Sequence, residues 1–377
     1  MTLPRITLLA TLLLAMPILS TPAAAQLQIT PPGTIPSPAP DKQKPKEPAK
    51  ETTKETAKDK PKVAPHTITK KKEAAPSPKP SASPSPTLPA TVIPAPAPDN
   101  PNVDLVFGAY QRGQYKTAFD LASARAKTGD AKAMTMLGEL YSNAMGIRRD
   151  YAKAVEWYKR ASDAGDREAM FALAMLRIAG RGGPVDKSEA VKLMASAAKL
   201  GEPKAAYNLA LLYLDGQTLP QDVKRSAELL RQAADAGLPE AQYALATFYK
   251  EGSGVPKDPE RAVRLLQAAS LADNVDAEVE YAIAMFNGTG TPKNQPAAVA
   301  LLRKASRQGS AIAQNRLAWV LINGMGTPVD KVEGFKWHLV AKTAGKGDPE
   351  LDKELSDLPA DDRAKAEAAA KKWLGNK

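Results

Sequence analysis

The chain has 377 residues with 33 Pro, 24 Gly, two His and no Cys, and 52 Lys and Arg against 41 Asp and Glu give it a net charge of +11. Without cysteine it cannot form a disulfide, a thiolate zinc site, an iron–sulfur cluster, a cysteine nucleophile or a cysteine-borne lipid anchor. His66 and His338 are too few for a histidine-rich metal site, and a His-centred triad would need one of these two.

Length alone allows two or three domains. Composition narrows this, because 22 of the 33 Pro precede Val103 and all twenty Phe, Trp and Tyr follow Val106. Residues able to pack are confined to 103–377. Residues 1–25 have the layout of a secretory signal: Arg5, a mostly apolar run from Ile6 to Leu19, and Ala23-Ala24-Ala25 before Gln26. The apolar run is shorter than the roughly 18–20 residues a membrane span needs, and Pro17 interrupts it. The reading is therefore a cleaved leader and a periplasmic protein of the bacterial envelope. The alternative is an uncleaved segment that anchors an envelope-spanning structural protein, and a mature start at Gln26 would exclude it.

Residues 26–102 hold 19 Pro, 12 Lys and no aromatic residue. Such a composition buries too little apolar surface to offset chain entropy, so the expectation is a disordered linker with polyproline II character. It would span roughly 50 Å as a coil and up to about 240 Å fully extended. Its 12 Lys against 7 acids leave +5, as do 39 basic and 34 acidic residues after position 102. The excess is thus spread evenly, which predicts no nucleic-acid partner. The linker reads as a spacer, with a weak, salt-sensitive contact to anionic envelope polymers as its sharper role.

From there the chain repeats. Gly129, Gly165, Gly201, Gly237, Asp273, Gly309 and Gly345 stand 36 apart, and four residues past the first six come Ala133, Ala169, Ala205, Ala241, Ala277 and Ala313. Five further on stand Gly138, Ala174, Ala210, Ala246, Ala282 and Ala318, each preceded by Leu or, at 281, Tyr. A Leu–small pair at this spacing marks the contact stripe of a first helix, where a missing side chain admits a neighbour. A turn follows with Gly180, Gly216, Gly252, Gly288 and Gly324, then Pro184, Pro220, Pro256, Pro292 and Pro328, then Asp186, Asp222, Asp258, Asn294 and Asp330. Gly ends the first helix, Pro prevents its resumption and Asp or Asn caps the second. The departures are Asp273 for Gly, Thr218 for the second turn Gly, and Ser226-Ala227 displaced by one, which predict local distortion around 218–226.

Ala133-Met-Thr-Met-Leu-Gly-Glu-Leu-Tyr141, Tyr151-Ala-Lys-Ala-Val-Glu-Trp-Tyr-Lys-Arg-Ala161, the turn Gly254-Val-Pro-Lys-Asp-Pro259 and the close Ala233-Ala-Asp-Ala-Gly237 together resemble the Sel1-like repeat, a 36-residue relative of the tetratricopeptide repeat. The resemblance implies an all-α, right-handed α-solenoid over 103–348, with a short leading unit at 104–128 and six full units over 129–344. Residues 349–377 read as capping helices and a tail, since a one-dimensional stack needs a polar end. The resemblance further implies a non-catalytic adaptor or scaffold for a protein or peptide, with no cofactor. A monomer is expected.

In tetratricopeptide relatives the first helices line the concave face. The stripe opposite the Leu–small contact gives the partner-binding candidates Glu139, Phe171, Met175, Tyr207, Leu211, Tyr243, Lys250, Phe286 and Trp319, with Phe171, Tyr207 and Tyr243 as a ladder of anchors. The competing reading packs these residues between successive first helices. His338 stands where other units carry Tyr158, Met194 or Leu230 and reads as core, as do Trp157 and Trp337; Lys159, Arg160, Arg231 and Arg303 read as a solvated outer face. Gly252-Ser-Gly254 and Gly288-Thr-Gly290 lack the Lys-Ser/Thr of a phosphate loop, and no carboxylate pair recurs in a way that favours acid–base work. No wall hydrolase is expected.

Overall fold

The computed structural model describes residues 104–375, so the expected leader at 1–25 and linker at 26–102 lie outside the described residues. Among the described residues there are sixteen helices and no strand. A leading hairpin of α1 (Leu105–Gln111) and α2 (Tyr115–Ala126) turns tightly at 112–114. Six pairs follow. They are α3 (Ala131–Asn143) with α4 (Tyr151–Asp163), α5 (Arg167–Ala179) with α6 (Lys187–Lys199), and α7 (Pro203–Asp215) with α8 (Val223–Asp235). Then come α9 (Pro239–Glu251) with α10 (Pro259–Leu271), α11 (Val275–Asn287) with α12 (Gln295–Arg307), and α13 (Ala311–Asn323) with α14 (Lys331–Thr343). All twelve helices are 13 residues long. Each first helix packs on its own second helix and on the second helix of the unit before, which makes the stack an α-solenoid.

The periodic residues do what their chemistry allows. The side chains of Asp150, Asp186, Asp222, Asp258, Asn294 and Asp330 each accept the backbone N–H three residues on, at 2.8–3.1 Å. Each such cap contributes about 0.5–2 kcal/mol. Leu137 and Leu317 are 0 % exposed, and Ala161, Ala197, Ala233, Ala269 and Ala305 line the seam with no exposed surface. Because the alanines carry so little side chain, neighbouring helices close until the leucines fill the gap.

The distortion expected around 218–226 is confined to the turn. α8 begins 36 residues after α6 and ends in register. Ser226 occupies the slot held elsewhere by Ala154, Ala190, Ala262 and Ala298, fully buried, with its hydroxyl lacking a partner among the described residues. A displaced pair is therefore not what the sequence holds; a serine replaces an alanine. In the turn, the second-position glycines of other units lie against the previous second helix, and a Cβ on Gly254 would sit 2.5 Å from the Val223 carbonyl oxygen. Thr218 carries such a Cβ and does not adopt positive φ, so this turn takes another path, tied by Gln221 Nε2 donating to the Leu214 carbonyl at 2.8 Å.

Two non-glycine residues hold left-handed backbone, Ala144 (φ 58°) after α3 and Asp273 (φ 59°) after α10. Ala144 is exposed and occupies the slot of Gly180 and Gly216. There a Cβ crowds the following carbonyl at a cost of about 1–2 kcal/mol. Ala144→Gly is expected to raise stability by about 0.5–1 kcal/mol in urea unfolding, the strain relief exceeding glycine's extra chain entropy. A lower midpoint would contradict the strain argument.

The C-terminal end closes with α15 (Pro349–Ser356) and α16 (Ala360–Gly375), and it is α16 that packs extensively on α14. Leu351 and Ala366 are 0 % exposed beneath this cap.

Candidate functional site

Viewed from the first helices, the nine candidate residues fall into three groups. Tyr207, Leu211 and Phe286 are buried, with 7 %, 1 % and 6 % exposure. Phe171, Met175, Tyr243, Trp319 and Glu139 are half-buried, and Lys250 is exposed. One apolar cluster gathers Phe171, Met175, Tyr207, Leu211 and Tyr243; a second gathers Phe286 and Trp319. Glu139 and Lys250 belong to neither. The expected ladder is thus open at Phe171 and Tyr243 and closed between them. Leu211 and Leu214 continue the apolar surface beside Tyr207, so neighbouring side chains cover it, whereas Tyr243 shares its helix face with Thr247 and Lys250.

Several of these residues join one unit to the next. Tyr110 OH donates to Glu139 Oε1 at 3.0 Å, and burial followed by the nearby Glu139 charge pushes the phenol up to about 12. Thr135 Oγ1 donates to Asp166 Oδ1 at 3.0 Å, Lys250 Nζ pairs with Glu280 at 3.1 Å, and Trp319 Nε1 donates to Asp348 Oδ2 at 2.8 Å. Burial, with Glu240 close by, pushes Tyr207 up to about 12, and burial with Glu280, Asp276 and Glu251 raises Tyr243. Neither hydroxyl has a hydrogen-bond partner among the described residues.

Sequence reasoning passed over the charges flanking these tyrosines. Glu240, Glu251, Asp276 and Glu280 lie on α9 and α11, and among the described residues only Glu280 of these four is in an ion pair. Their signal was available helix by helix: the six first helices carry 6 Lys and Arg against 8 Asp and Glu, and the six second helices 17 against 7. Not all of the second-helix charge is solvated. Lys159, Arg160 and Arg231 are exposed, Arg231 also donating to Tyr249 OH at 3.1 Å, but Arg303 is half-buried and pairs with Glu333 at 2.9 Å, which corrects its reading as part of a solvated outer face.

His338 is fully buried, as a core residue should be, and its Nε2 lies 2.8 Å from Asp352 Oδ1 on α15. Lys342 shares that oxygen at 2.8 Å, and hydrogen bonds from Lys342 and then His338 hold the Asp352 carboxyl below its usual range. The imidazole therefore latches the cap. Trp337 is core at 3 % exposure, while Trp157 is half-buried with the Arg160 guanidinium 4.3 Å from its ring centroid. Among the described residues no group of three or more His, Asp or Glu is placed to hold a metal ion, and no helix is long and apolar enough to cross a membrane.

Comparison with known proteins agrees with this geometry. The Sel1 repeat model matches residues 131–166, 167–202, 203–238, 239–274, 275–310 and 311–346, more than half the chain. Among solved structures, a protective antigen of uropathogenic Escherichia coli displaying an SLR fold is 26 % identical with a TM-score of 0.62. That alignment covers 71 % of this chain and 58 % of the antigen, so this chain spans little more than half the antigen's length. A Sel1 repeat protein from Oxalobacter formigenes is 26 % identical with a TM-score of 0.57, covering 63 % of this chain and 98 % of that one. Among curated protein sequences none matches. Sel1 repeat proteins generally serve protein–protein interaction as non-catalytic scaffolds. Six consecutive matches in register with six helix pairs place this chain in the Sel1 repeat family.

Proposed function

We propose that the protein is an exported, non-catalytic adaptor that binds a protein or peptide of the cell envelope along its first-helix face. One observation carries this reading: the face runs through six units and keeps large side chains half-open, at Phe171, Met175, Tyr243 and Trp319, in a fold whose relatives bind proteins. Partly exposed aromatic side chains on a rigid scaffold are the usual anchors of an interface. Export rests on the residue pattern at 1–25, and the segment at 26–102 would give the solenoid reach within the envelope.

The test is capture of partners from envelope extract by the full-length chain and by Phe171→Ala and Tyr243→Ala variants. The expected result is loss of capture with a melting transition lowered by only a few degrees, since both side chains are partly open. Undiminished capture by both variants would move the binding surface elsewhere. Tyr207 is a poor probe, because its burial couples any loss of binding to a loss of stability.

A further inference from the structure

The partner-binding reading of the first-helix face leaves open what kind of segment binds there, and the charge distribution narrows it. The second helices carry a large basic excess, whereas α9 and α11 together hold one Lys against five acids. Glu240, Glu251 and Asp276 are exposed and form no ion pair among the described residues. Beside them, Tyr207 is 7 % exposed and Tyr243 half-buried, in the same slot of successive units, and neither hydroxyl has a hydrogen-bond partner among the described residues. An aromatic face beside carboxylates attracts a cation on two counts, through the ring and through the carboxylate charge.

We propose that the face formed by α7, α9 and α11 takes an extended peptide segment bearing lysine or arginine, whose cationic heads meet Tyr207 and Tyr243 and are neutralised by Glu240, Glu251 and Asp276. The acidic partner class is disfavoured here and would go to the second helices. A basic segment is repelled by the second-helix face and finds net negative charge on α9 and α11, so the two faces select both ligand and side.

The test uses the full-length chain and fluorescein-labelled peptides of four Ala-Ala-Lys or four Ala-Ala-Glu units, read by anisotropy at low and high salt. Expected are saturable binding of the Lys peptide that weakens with salt, and at least a tenfold loss in the triple variant Glu240→Gln, Glu251→Gln, Asp276→Asn with an unchanged melting transition. Tyr243→Phe, which keeps the ring and removes the hydroxyl, should cost a few-fold. Neutralising Glu156 and Glu189 on the second helices should change nothing. Equal binding by the triple variant, or tighter binding of the Glu peptide, overturns the proposal. If the Lys peptide fails to bind while capture from envelope extract still depends on Phe171 and Tyr243, this inference falls and the adaptor reading stands. Loss of both dependences removes both.

Discussion

Trp337→Ala lowers the stability of the solenoid by about 3–5 kcal/mol, the range expected for removing a buried tryptophan, and the loss spreads from the C-terminal end. Trp337 is 3 % exposed on α14, its Nε1 donates to Glu333 Oε1 at 3.2 Å, and its ring meets that of Trp373 on α16 edge-on, with centroids 5.1 Å apart. Lys336 Nζ lies 4.1 Å from the Trp337 centroid and 5.3 Å from that of Trp373, and burial presses its ammonium below the usual lysine range. The His338–Asp352–Lys342 latch ties α15 to α14, which it otherwise touches little, so α16 is held mainly through this tryptophan surface. In a one-dimensional stack each unit is stabilised by its neighbours, so loosening the cap exposes α13 and α14 next. Hydrogen exchange resolved by segment should show protection falling first over 311–375 while 167–271 keeps its own. A uniform fall along the chain, or a change below about 1 kcal/mol, would mean that α16 is not what closes the core.

The helix pairs were legible because their punctuation recurs: glycine, proline and Asp or Asn have few substitutes at a helix end, so each unit must spell the turn alike. The starts of the first helices were less legible, for Asp130, Asp166, Asn274 and Ser310 cap through their side chains, whereas Leu238 provides no side-chain cap and Pro239 follows it. Openness of the candidate face could not be read from one helix at a time. Tyr207 and Tyr243 share a slot and a residue type, yet the first is buried and the second half-open, because exposure depends on the side chains of adjacent units. His338 was legible as core from its slot, but its bond to Asp352 was not, since the cap lies outside the repeat and has no register to predict it.

A methyl group added at Gly138 should cost about 1–3 kcal/mol, even though alanine is the better helix former by about 1 kcal/mol. Five other units already hold alanine in this slot, at Ala174, Ala210, Ala246, Ala282 and Ala318, all buried. What differs is the partner. Opposite those alanines stand Met194, Leu230, Leu266, Leu302 and His338, whereas Gly138 faces Tyr158, and a Cβ there would lie 2.6 Å from two of its ring carbons. Tyr158 is 5 % exposed and its hydroxyl lies 3.4 Å from Ser142 Oγ, so the ring has little freedom to retreat. The absent methyl and the large ring are therefore one feature of the first full unit. Tyr158→Leu alone should destabilise by leaving a void beside the glycine. Combining it with Gly138→Ala restores the pairing found in the third, fourth and fifth units, and the double variant should be more stable than the sum of the single changes predicts by about 1–3 kcal/mol. Urea unfolding of the four chains measures that coupling directly. Additive effects would show that the two helices adjust independently, and the matched-slot account of how one unit seats its helix pair would fail.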